Sequence, residues 1–229
     1  MKKDYIDNME TNVYSEEQLQ QLRVDVCSHM SQKRYSHTMG VEREAVKLAD
    51  LFCPEKKSML QAAALLHDLT KEETPAFHAD VLEKRGITVT KQDYLSPKTF
   101  HARSAALLIP EQYPAFADAE LCSAVLYHTT GRAGMTVTEM ILYLADYIED
   151  TRTFEDCVKL RRLFWDADPG AMSGQDRMTH LLRVMITSFD MTIRDLLEGG
   201  NPISADTFLA RNDLIITLNQ MTNGGNALQ

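Results

Sequence analysis

The chain has 229 residues, 44% of them hydrophobic, with 33 acidic against 24 basic side chains and a net charge of -9. That is enough for one large domain or two small ones with a full core, and too negative for a general nucleic-acid or anionic-membrane surface, which needs a basic field. Cys27, Cys53, Cys122 and Cys157 form no C-x-x-C pair, so no zinc knuckle or redox motif is encoded, and reduced thiols fit a cytoplasmic protein. The opening MKKDYIDNMETNVYSEEQ has no apolar run behind its lysines, and AAALL and MILYLA are too short to span a bilayer.

Apolar residues recur at three and four almost throughout, which predicts an all-α fold. A first helix starts at Ser15, whose Gln18 completes a capping-box pattern, and runs to about 32. A second spans about 36 to 53, ending before Pro54. A third covers 55 to about 70, and its stretch from 62 to 66 is apolar on every side, as in a helix through the centre of a bundle. Thr74 and Pro75 open a short fourth, closed at Gly86. After an irregular segment come helices at about 99–109 and 118–128. A second capping box, Thr136 with Glu139, precedes EMILYLADYIED, and further helices cover roughly 153–165, 174–197 and 206–220. The expected organisation is a polar N-terminal extension at 1–14, one domain at 15–220 and a polar tail at 221–229.

Two metal-ligand side chains, His67 and Asp68, stand side by side in LQAAALLHDLTKEE, where periodicity predicts core. Ionised carboxylates are almost never buried alone. His37 shares a stripe with Val41, Ala45, Leu48 and Phe52, and Asp146 lies one turn after Leu142 and Tyr143. Three helices thus each aim a ligand-type group inward. A single inward histidine is usually satisfied by a carbonyl, but adjacent His and Asp cannot easily share one partner, whereas a divalent ion takes imidazole and carboxylate together. His29, His78 and His180 have polar neighbours and read as surface residues. The methionines, with Phe154, Phe164 and Trp165, read as core filling.

The order His37, His67–Asp68, Asp146 resembles the HD-domain metal-dependent phosphohydrolases. KRYSHTMGVEREAVKLA, AALLHDLTKE, FHARSAALL, YHTTGRAGM, MILYLADYIEDTR and TFLARNDLI are similar to successive blocks of the YqeK-type branch, the symmetrical diadenosine tetraphosphate hydrolases of bacteria. The resemblance implies an HD-type helical bundle in which His37, His67, Asp68 and Asp146 ligate a metal, iron first, with manganese or another divalent ion as substitute. His101 and His128 match family histidines that either complete a second metal site or contact substrate phosphates, one able to act as general acid. The implied reaction is attack of a metal-activated hydroxide on a phosphorus, giving two ADP from diadenosine tetraphosphate.

Lys71 follows Asp68 by three residues and is expected beside the developing charge as a catalytic and substrate-binding cation. Related HD enzymes acting on guanosine tetraphosphate carry an acidic pair in HD-x-x-ED, where this chain has Lys71 and Glu72, a departure that argues against that activity. Thr129 and Arg132 in HTTGRAGM, with Gly131 and Gly134 letting backbone approach a ligand, are expected at the substrate, as are Tyr147 and Arg152. Thr207, Arg211 and Asn212 are nucleotide contacts by resemblance. Competing readings are another HD-type enzyme (a nucleotidase, a deoxynucleotide triphosphohydrolase or an iron oxygenase) and a non-catalytic, metal-containing nucleotide sensor. The partner expected is a small nucleotide, not nucleic acid or membrane, and a homodimer stays open as the assembly.

Overall fold

The computed structural model describes residues 13–222, and all the regular structure among them is helical. The helices are α1 (Glu16–His29), α2 (Gln32–Phe52), α3 (Lys57–Leu66), α4 (Pro75–Glu83), α5 (Lys91–Leu95), α6 (Phe100–Gln112), α7 (Ala119–Tyr127), α8 (Val137–Ile148), α9 (Glu155–Trp165), α10 (Gly174–Glu198) and α11 (Ala205–Thr222). Both expected capping boxes form, with Ser15 and Thr136 accepting from the third helical residue and Gln18 and Glu139 reaching back. The segment expected to be irregular contains α5, which has a box of its own: Thr90 accepts from Asp93 N–H, and Asp93 reaches back to Thr90 N–H. No helix of the described residues is long and apolar enough to cross a membrane.

The apolar α3 runs through the middle, packed by α1, α2, α7 and α8, and Leu60 and every residue from 62 to 66 are sealed from solvent. Burying a leucine is worth roughly 1.5–3 kcal/mol, so this helix anchors the fold. It ends earlier than its pattern suggests. α3 stops at Leu66, and the chain continues in tight turns closed by Leu69 N–H to Leu66 O, Lys71 N–H to Asp68 O and Glu73 N–H to Thr70 O. His67 and Asp68 therefore sit at the head of this turn run, at the end of the most deeply buried element. Glu72 turns away to accept from Ser31 N–H and Oγ–H, bracing the N-cap of α2.

On the other side α10 packs against α9 and α11. Tyr14, assigned to the N-terminal extension, is instead core: its ring centroid lies 4.7 Å from that of Phe116, and its N–H donates to Ser58 Oγ at 3.0 Å. The rest of that extension before residue 13, and the tail from 223, lie outside the described residues. Phe154, read as core, is exposed at the N-cap of α9, where a helix start leaves the side chain no facing element.

Candidate metal centre and active site

Three rings of the His–Asp group come from different parts of the chain, and each is held at Nδ1 by an anchor of its own. His67 Nδ1–H donates to Ala64 O at 2.6 Å, and His128, just past α7, does the same to Val125 O at 2.6 Å. His37, on the second turn of α2, has Nδ1 at 3.0 Å from Glu149 Oε1. A carboxylate only accepts, so Nδ1 carries the proton. In all three rings the anchored nitrogen leaves Nε2 for the interior, the arrangement usual in metal-ligating histidines.

Those Nε2 atoms converge. His37 Nε2 is 3.0 Å from Asp146 Oδ1 and 3.6 Å from Asp68 Oδ2; His67 Nε2 is 3.3 Å from Asp68 Oδ2 and 3.8 Å from Asp146 Oδ1. The other oxygen of Asp68, Oδ1, faces a second group, 3.1 Å from His101 Nε2 and 3.9 Å from His128 Nε2, with the two rings 3.0 Å apart at Nε2. His37 Nε2, His67 Nε2 and Asp68 Oδ1 are buried without a hydrogen-bond partner. Buried polar atoms seldom go unsatisfied, and this donor set of imidazoles and carboxylates is what a divalent ion takes. His37, His67 and Asp146, and likewise His67, Asp68 and His128, bring ligand atoms within 4.8 Å of one another. The residues present fit a metal.

Electrostatics follow from burial against charge. Burial pushes the Asp68 carboxyl up, but the imidazoles of His67 and His101 beside it outweigh burial and hold it well below the usual carboxylate range. Asp146 behaves alike, burial being overcome by Arg152 and His37. Burial lowers His37, yet the Asp146 and Glu149 carboxylates win and raise it to about 9. Burial lowers His101, and takes His128 well below its ordinary value with help from the neighbouring His101 and His67 rings. Lys71 is lowered by burial as well, with Nζ 3.2 Å from His101 Nε2 and 3.9 Å from Asp68 Oδ1.

A cavity of about 400 Å³ opens beside the group, and Lys71, His128, Thr129, Asp146, Tyr147 and Arg152 reach it. Thr207 joins them from α11. Arg152 folds back from beyond α8 so that Nη2 meets Asp146 Oδ1 at 2.5 Å. Three expected residues lie elsewhere. Arg132 donates from Nε to the buried Glu139 at 2.9 Å, Arg211 pairs with Asp190, and Asn212 is exposed; none of the three lines the cavity. Each arginine had a nearer carboxylate to satisfy. Gly131 serves packing, since at φ +63° a Cβ there would come within 2.5 Å of Phe189 Cζ, and Gly134 N–H donates to Asp213. His78 is buried rather than on the surface, its Nδ1 2.8 Å from Ser104 Oγ.

Two participants escape a reading by motif. Arg34, one turn before His37 and on its face, bonds Asp68 Oδ2 at 2.5 Å; that spacing was the available signal. Glu149 stands 112 residues from His37 and just past α8, where nothing local marks it. Gly40 makes room for it, since a Cβ there would lie 2.2 Å from Glu149 Oε2. Thr151 donates to Glu149 through N–H and Oγ–H, both at 2.7 Å, and Arg161 donates to the carbonyls of Ile148, Glu149 and Arg152, fastening the loop that carries both Glu149 and Arg152.

An all-helical domain with a buried histidine–aspartate centre of this order defines a class, and residues 34–151 match the HD domain; the chain belongs to the HD-domain family. Over 190 residues it is 30% identical to the symmetrical bis(5'-nucleosyl)-tetraphosphatase of Bacillus subtilis (strain 168), covering 83% of this chain and 94% of that one. The protein of the same name from Halalkalibacterium halodurans is 30% identical over 193 residues, with 83% and 94% covered. A crystal structure described as a predicted HD superfamily hydrolase involved in NAD metabolism, from Clostridium acetobutylicum, superposes with a TM-score of 0.75 at 27% identity, covering 89% of this chain and 98% of that one.

Proposed function

We propose that the protein is a symmetrical bis(5'-nucleosyl)-tetraphosphatase, splitting diadenosine tetraphosphate into two ADP. The observation that carries this reading is the convergence of unpartnered His37 Nε2, His67 Nε2 and Asp68 Oδ1 beside a cavity that also carries Lys71 and Arg152. His37, His67, Asp68 and Asp146 would hold the metal, with His101 and His128 available to a second ion around Asp68 Oδ1; iron is our reading, with manganese or another divalent ion as substitute. A divalent ion so placed polarises a phosphoryl oxygen and acidifies water beside it.

The chain's own residues do the rest. Lys71 and Arg152 put positive charge where phosphoryl transfer builds negative charge on non-bridging oxygens. Without a second ion, the unpartnered Thr129 Oγ1–H is the uncharged donor to the phosphate chain, with His128 bordering the same cavity and His101 behind it, its Nε2 3.1 Å from Asp68 Oδ1. Tyr147 and Thr207 border the same cavity, which supports them as contacts to the nucleotide. The resemblance had placed Arg132, Arg211 and Asn212 there too, but we assign them no contact with it. The enzyme would work as one domain in the cytoplasm, where its thiols stay reduced, on nucleotides alone; homodimer formation is to be tested by light scattering.

The test is to incubate purified protein of known metal content with diadenosine tetraphosphate and resolve the products. ADP alone is expected. ATP plus AMP marks asymmetrical cleavage, and metal without turnover marks a sensor or an oxygenase.

A further inference from the structure

A second cavity, of about 410 Å³, lies across Thr99, Thr129, Thr130 and Ser204, which line both hollows. Its size falls within the roughly 300–1,000 Å³ of small-molecule sites. The two hollows differ in chemistry. The one beside the His–Asp group bears Lys71, Lys98 and Arg152. Among the residues lining the other, the cation Arg103 is tied to Asp93 at 2.8 Å and Asp206 adds a further carboxylate. Leu82, Ile87, Leu107 and Leu126 form an apolar wall.

A polyphosphate is repelled by such a lining. A nucleoside is accepted: its flat, largely apolar base packs against the leucines, and its ribose hydroxyls donate to the carboxylates. The shared rim carries its own sign of a ligand. Thr129 Oγ1 is buried there without a hydrogen-bond partner, and Thr129 directly follows His128, so a phosphate chain crossing the rim would satisfy that hydroxyl within one residue of the reacting centre.

We infer that this second cavity binds the second nucleoside of a dinucleoside polyphosphate, the first occupying the cavity beside the His–Asp group and the phosphates crossing the rim at Thr129 and Thr130. The inference rests on the function proposed above. It predicts a preference for two-ended substrates, because a split into equal halves needs room for a nucleoside on each side of the attacked phosphorus.

Two variants fill the second cavity from different elements, Leu107→Trp on α6 and Ile87→Trp in the loop after α4, and melting curves verify that each is folded. For each, kcat/KM is measured with diadenosine tetraphosphate, and the inhibition constant with the one-ended adenosine 5'-tetraphosphate as competitor. Expected is a loss of at least about tenfold in kcat/KM for the two-ended substrate. The one-ended competitor, whose nucleoside takes the first cavity, should weaken by no more than about twofold. Equal losses for both compounds, or none for the two-ended one, overturn the second-nucleoside site while leaving the hydrolase reading standing. A wild-type protein that makes no ADP defeats the hydrolase reading, and this inference with it.

Discussion

His78 and His101 are both buried and share one polar spine: Ser104 Oγ bonds the His78 ring at 2.8 Å, and Ser104 stands one turn after His101 on α6. Thr70, in the turn run that bears Asp68, ties into the same spine, 2.7 Å from Ser104 Oγ and donating to His101 O at 3.0 Å. Yet the two rings have different fates. His78 stacks on Phe100, centroids 5.8 Å apart, and is satisfied locally. His101 presents Nε2 to Asp68, His128 and Lys71. Burial says only that a ring needs a partner; the direction of the remaining nitrogen decides whether it serves the fold or the site.

The contrast breaks most sharply at Asp68, the residue both halves of the centre share. Asp68→Ala should release metal, read by elemental analysis, and cost roughly 10³-fold or more in kcat/KM, because several kcal/mol of charge stabilisation leave together. Retained turnover in a metal-depleted variant would sink the metal assignment. Glu149→Ala should come next. It frees the His37 tautomer and weakens metal binding about 10- to 100-fold in a competitive chelator titration. Glu149→Gln should recover part of this, and an unchanged affinity in both variants would make Glu149 a loop brace only.

Two arginines extend the comparison to charge. Arg152→Ala removes a charge-assisted contact worth about 1.5–3 kcal/mol, so kcat/KM should fall roughly 10- to 100-fold. Arg132→Ala should instead lower the melting temperature while kcat/KM stays within about threefold, since Arg132 satisfies the buried Glu139. The reverse pattern would return Arg132 to the substrate. The smallest effect belongs to His78. Burial lowers its pKa from the ordinary 6.5, against a backbone hydrogen bond with Glu73 that raises it. Its neutral ring therefore contributes stability in full above 6.5, and that contribution is lost as pH falls through the lowered value. Melting temperature followed from about pH 8 to pH 5 should fall less steeply in His78→Asn than in the wild type. Parallel curves would show that His78 does not titrate with unfolding.

Much of this was readable before any coordinates. Ten of the eleven helices among the described residues, in their order, follow from apolar spacing and from caps such as Ser15–Gln18 and Thr136–Glu139, because those interactions close within four residues. The box at Thr90 and Asp93 is equally local, in a segment whose apolar spacing predicts no helix. His78 was misread because its neighbours in sequence are polar, while the face it buries meets α6, which sequence does not announce. Arg132 and Arg211 were placed near the substrate by motif, and both were claimed by carboxylates whose proximity only folding creates.

What the sequence determined by itself is therefore the set of parts: an all-helical chain, an apolar central helix, and a histidine and an aspartate at its end that demanded a partner. Only the tertiary structure decided which groups meet them. It brought Glu149 behind His37 across 112 residues and Arg34 onto Asp68, and it turned one Asp68 oxygen to each pair of histidines. The physical reason is range. Periodicity and capping act within a turn or two, whereas the pairing of buried polar atoms is settled by whichever donors and acceptors the packed helices leave facing one another.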